Sequence, residues 1–221
     1  MKANRVIPVM MFLLFILLIV LSSGENAVHA SIYSPADNTE IFLPLVTNGQ
    51  AEFSGEAIII DHTSTDISKI PEFYINKVIT DLRLSYGHTS HGSQPISGMT
   101  YLEGLDSLYS FNIDGAIEDG VLSLRDRFPP GDLGNPDYWY WATRTRLYLN
   151  DVTGVGSDRN VVVWSWCTQL SSDQAPEALI NEAYLGQMAD LERDYPNVTF
   201  VYMTGHLDGT GVTGNLYQRN N

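Results

Sequence analysis

The sequence predicts an α/β fold of three layers, αβα, with helices on both faces of a mostly parallel sheet. Three observations predict it. "NVVVWSW" at 160–166 is a β-branched and aromatic run with the length of a buried strand. "SSDQAPEALINEAYLGQMADLERDYP" at 171–196 spaces Ile180, Ala183, Tyr184, Gln187, Met188 and Leu191 as a helix does, with Ser or Asp to cap it, Pro176 and Glu177 in its first turn and Pro196 past its end. "NVTFVYMTG" at 197–205 is a second strand. Strand, helix and strand with tight links make a right-handed parallel crossover.

The remaining elements follow in chain order. Residues 1–30 open with Lys2 and Arg5, continue in an apolar run from Val6 to Leu21 and close on Val28-His29-Ala30. A charged start, a short apolar run and a small-residue exit are the pattern of a cleaved secretory signal peptide, so the protein is expected to be secreted or extracytoplasmic. An uncleaved segment would be its one attachment to a membrane. Residues 31–66 are punctuated by Ser, Thr, Asn and Gly, with one apolar run, "IFLPLV", broken by Pro44; they read as a linker or N-terminal arm.

The folded domain is expected over 67–221, about 190 residues remaining after the leader being enough for one core and too few for two. In "ISKIPEFYINKVIT", Pro71 suits a first helical turn, and Phe73, Ile75 and Val78 line one side. "DLRLSYG" then alternates Leu82, Leu84 and Tyr86 against Asp81, Arg83 and Ser85, a strand stopped by Gly87. "FNIDGAIEDGVLSLRDRFPPGDLGNPD" reads as an irregular, solvated excursion, and its Asp114, Glu118, Asp119, Asp126 and Asp132 lack the alternation of a calcium loop. "PDYWYWATRTRLYL" forms a helix with Tyr138, Trp141, Ala142, Thr145, Tyr148 and Leu149 inward.

Composition narrows the partners. Setting aside Lys2, Arg5 and Glu25, the chain keeps 10 basic and 25 acidic side chains. A surface this acidic repels nucleic acid and anionic lipid, so a small-molecule or glycan ester is the expected substrate. Cys167 is the one cysteine, which rules out an internal disulfide, and its setting in "VVVWSWCTQL" reads as that of a small buried hydrophobe.

Ligands of parallel sheets bind outside the carboxyl ends of the strands. Three polar clusters share that address: "GHTSHGSQ", "SWCTQLSSD" and "TGHLDGTG". In the first, Gly87 and Gly92 free the backbone for a sharp turn and Ser90 stands between them as the candidate nucleophile. His88 and His91 are close in sequence to Ser90, while His206 reaches it from another strand end. An alternative is a zinc site built from His88, His91, His206 and Asp208.

A strand leading to a Gly- and Ser-bearing turn, "YGHTSHGSQ", a second strand with a polar exit, a helix and a third strand together resemble the SGNH/GDSL hydrolases over residues 67–221. The resemblance implies a flavodoxin-like sheet and a cofactor-free, metal-free serine esterase or carbohydrate esterase. Ser90 matches the nucleophile, with Gly87, His88 and His91 around it. Gln169 or Ser165 stands in for the family's Asn in the oxyanion hole, and the second-block glycine falls among Gly98, Gly104 and Gly115. The usual Gly-Asp-Ser is absent. The family's Asp-x-x-His would lie beyond Asn221, so the resemblance implies a C-terminal fragment, or His206 with Asp208 in the base role, or a chain that is not a working hydrolase. The other reading is a non-catalytic extracellular carbohydrate-binding protein whose Trp139, Trp141, Trp164 and Trp166 stack on sugar rings.

Overall fold

The computed structural model describes residues 60–171, 177–206 and 211–220. The leader at 1–30, most of the arm, the Ser172, Asp173 and Pro176 start of the long helix, and Asp208 lie outside the described residues.

Helix α1 (Glu72–Asp81) starts after Pro71, whose missing N–H costs a helix start nothing. Its buried side is Ile75 and Val78, continued by Leu82; Phe73, expected to face the same way, is 69% exposed. Strand β1 (Arg83–Gly87) is followed by a 3₁₀ turn, Ser90–Gly92, and helix α2 (Ser93–Glu103). Strand β2 (Ser123–Asp126) corrects the reading of 111–137 as wholly irregular: "VLSLRD" alternates Leu122 and Leu124 with Ser123 and Arg125, a short copy of the alternation in "DLRLSY". Helix α3 (Tyr140–Leu149) buries Trp141, Ala142, Thr145 and Leu149. After strand β3 (Val161–Trp164), helix α4 (Glu177–Ile180) continues through a π-helical segment, Asn181–Gly186, into α5 (Gln187–Asp194). Strand β4 (Thr199–Val201) and helix α6 (Asn215–Asn220) complete the described chain.

The four strands form a parallel sheet in the order β2-β1-β3-β4. Leu84 lies opposite Leu124 on one side and Val161 on the other, and Val163 lies opposite Val201. Alternation along the strands then makes two cores. On one face Leu84, Tyr86, Leu124, Val161, Val163 and Val201 meet Val78 and Leu82 from α1 and Met99 and Leu102 from α2. On the other, Val162, Trp164 and Phe200 meet α3, α4, α5 and Leu216 of α6. The three-layer αβα architecture with a flavodoxin-like strand order is therefore present. Among the described residues no helix is long and apolar enough to cross a membrane.

At the amino end of the sheet, Asn160 ties neighbouring elements together. Its Oδ1 accepts from the Arg83 N–H at 2.8 Å, and its Nδ2 donates to the Asp81 carbonyl at 2.7 Å.

Candidate functional site

The chain leaves β1 through α2 on one face and returns to β3 through α3 on the other. The loops after β1 and β3, neighbours in the sheet, therefore lead to opposite faces from Gly87 and Trp164, the place where ligands of such sheets bind. Gly87 is required here by close approach, since a Cβ on it would lie 2.5 Å from the Trp164 ring. The site is built from what these loops carry.

His88 is the first residue past β1, and its side chain is fully buried. Its ring lies against Tyr86, with centroids 4.5 Å apart. Nδ1 faces the Thr89 carbonyl at 2.8 Å and Nε2 faces Asp126 Oδ1 at 2.7 Å. A carbonyl can only accept, so Nδ1 carries a proton. A second proton lies between Nε2 and the carboxylate oxygen. Neither nitrogen is left over to act on a substrate. Below the ring, burial pushes the Tyr86 phenol well above its usual range, opposed by the Ser165 hydroxyl and reinforced by the Asp126 carboxylate.

Asp132, in the loop after β2, joins the exits of three strands. Its Oδ1 accepts from Thr89 Oγ1 at 3.1 Å and its Oδ2 from Gln169 Nε2 at 2.8 Å. Gln169, expected to donate to an oxyanion, thus gives one amide N–H to Asp132, and its buried Oε1 has no hydrogen-bond partner among the described residues. The Ser165 N–H is bonded to the Gly87 carbonyl at 3.0 Å and its hydroxyl lies 3.4 Å from the Trp166 carbonyl.

The third group spans β1, β3 and β4. His91 Nδ1 lies 3.4 Å from Cys167 Sγ, and the His91 ring stacks on that of His206 with centroids 4.1 Å apart and planes 13° from parallel. Cys167 is half-buried rather than a sealed core residue. A thiol beside an imidazole nitrogen is a nucleophile beside a base.

No family model, curated protein or solved structure matches the chain.

Against the sequence-based expectations, the loops after β1, β3 and β4 do meet, but in a different pairing. Ser90 is exposed, its hydroxyl makes no hydrogen bond to a described residue, and only its carbonyl is engaged, by Ser93 Oγ at 2.8 Å. His206 stands against His91, not bonded to Ser90. With both His88 nitrogens engaged elsewhere, the histidines do not converge as zinc ligands, and among the described residues no group of three or more His, Cys, Asp or Glu side chains could hold a metal ion. Trp141, Trp164 and Trp166 are buried core residues, so they offer no stacking surface; Trp139, at the start of α3, is exposed. Asp126 and Asp132 were read as solvated and are instead tied to the loops after β1 and β3; the alternation of "VLSLRD" was the signal that put Asp126 at a strand end.

Proposed function

We propose that this chain is an exported hydrolase of neutral esters, acyl groups on carbohydrates among them, with Cys167 as nucleophile and His91 as its base. The observation that carries this reading is the 3.4 Å contact between His91 Nδ1 and Cys167 Sγ at the point where the sheet's crossovers diverge. Ser90 matched the resemblance to the SGNH hydrolases, but a hydroxyl needs a base to take its proton and it is hydrogen-bonded to none among the described residues. The acidic surface and the exposed Trp139 at the same end of the sheet support an uncharged, ring-bearing substrate.

The chemistry is acyl transfer. His91 takes the Cys167 proton, and the thiolate attacks the ester carbonyl to form a carbon–sulfur bond and an oxyanion. His91 lies in the 3₁₀ turn that leads into α2, so the positive end of that helix lies at the same rim as the developing charge. Collapse breaks the carbon–oxygen bond, and His91 returns its proton to the leaving alcohol. Water, deprotonated by His91, then hydrolyses the thioester to the acid and regenerates the thiol.

The test is turnover of p-nitrophenyl acetate by the full chain. Cys167→Ala and His91→Ala are expected to lower the rate by about 100-fold or more, whereas Ser90→Ala leaves it within about twofold. Loss confined to Ser90→Ala, with Cys167→Ala active, would return the role to the serine.

A further inference from the structure

The His88–Asp126 pair has the look of a catalytic base and its orienting carboxylate, yet its geometry gives it other work. Both ring nitrogens are committed, one to Thr89 O and one to Asp126 Oδ1, and the side chain is shut off from solvent. The backbone folds tightly around it: a Cβ on Gly92 would sit 2.2 Å from the His88 Cβ. Residues 88 to 92 therefore wrap a single buried ring, and His91 is carried on that wrap. The ring's Nδ1–H holds the carbonyl two residues before His91, while Asp126 fixes the ring from the end of β2.

We infer that His88, gripped by Asp126, is the positioning residue that sets the His91 imidazole against the Cys167 thiol. This rests on the reading of Cys167 and His91 as nucleophile and base. Among the described residues, the titratable and charged groups around the two histidines are few. His88 meets Tyr86 beneath it and Asp126, whose Oδ2 lies 3.8 Å from Arg127 Nε; His91 meets Cys167 and His206. Two carboxylates reach the turn from the β2 side, Asp126 on the His88 ring and Asp132 on the Thr89 hydroxyl, and of the two it is Asp126 that holds the ring. Asparagine at 126 preserves that grip, because its amide N–H donates to a neutral His88 Nε2 while Nδ1–H stays on Thr89 O. Alanine removes it.

The experiment is the rate of Cys167 alkylation by iodoacetamide against pH, on the full chain, with folding checked by urea unfolding. Asp126→Ala is expected to slow alkylation at neutral pH by about tenfold and to change the profile, and Asp126→Asn to keep the parent profile. His88→Phe, which keeps a ring over Tyr86 without hydrogen bonds, is expected to behave as Asp126→Ala and serves if the alanine variant does not fold. An unchanged profile in Asp126→Ala or His88→Phe, or an Asp126→Asn profile as slow as the alanine's, overturns the inference. His91→Ala separates the two levels: if it leaves the profile unchanged, the nucleophile–base reading fails; if it slows alkylation while Asp126→Ala does not, only the positioning role fails.

Discussion

Gly92 shows how closely single residues are constrained in the turn after β1. Its φ of −64° suits any amino acid, so the requirement for glycine is one of space, set by the His88 Cβ. A methyl group there has nowhere to go, because the atom it meets is fixed to the backbone rather than at the end of a flexible side chain. Gly92→Ala is therefore expected to destabilise the protein by about 1–3 kcal/mol, even though alanine in place of glycine removes unfolded-state freedom and would otherwise help. The urea midpoint measures it; a midpoint equal to or above the parent's would mean that the turn does not wrap His88 this tightly. His88 itself illustrates why a His–Asp contact is not by itself a catalytic sign. What decides is whether a ring nitrogen remains for the substrate, and here none does.

At the scale of elements, the irregular middle of the long helix does the connecting. The π-helical segment Asn181–Gly186 carries Ala183, whose carbonyl accepts from Trp141 Nε1 at 3.0 Å and so fastens α3 to α4 and α5. It also carries Tyr184, whose hydroxyl accepts from the Met203 N–H at 2.8 Å and lies 3.3 Å from the Met203 carbonyl. Met203 precedes His206 by one short stretch, so the phenol anchors the strand exit that brings His206 to His91. Tyr184→Phe strips both Met203 backbone groups of that partner and is expected to cost about 1–3 kcal/mol. Thermal unfolding is the check, and a melting temperature unchanged from the parent's would show that the anchor contributes nothing. Helix α3 is joined to the sheet by a second relay: Trp164 Nε1 donates to Thr145 Oγ1 at 3.0 Å, and that hydroxyl donates to the Trp141 carbonyl at 2.9 Å.

Across the whole molecule, raised phenols are expected to set the alkaline limit of stability. Burial raises Tyr86, Tyr148 and Tyr184 above the ordinary tyrosine range, and partial desolvation with the nearby Glu192 carboxylate pushes the exposed Tyr202 up to about 12. A phenol raised in the folded state contributes stability that is intact below its unfolded value, about 10, and is lost as pH climbs through the folded one. The urea midpoint is thus expected to hold steady up to about pH 10 and to fall above it, with tyrosinate absorbance appearing together with unfolding. Tyrosinate that grows in fully before the fold is lost would contradict this. The class of fold was legible because Val161–Trp164, Phe200, Val201 and the long helix each carry their own period, and a parallel crossover follows from their order. β2 was hidden by its brevity, four residues between glycine-rich stretches. The carboxyl edge of the sheet was legible as an address, but the partners within it were not. His91 and Cys167 lie 76 residues apart, and which loops touch depends on strand order, which no local pattern encodes. That same order has a consequence for how the chain is made. β1 emerges from the ribosome before either strand that will flank it, and Leu84 must wait first for Leu124 and then for Val161. One edge stays bare backbone until β2 is made and the other until β3 is made, so the strand at the centre of the site is also the one most in need of shelter from premature pairing.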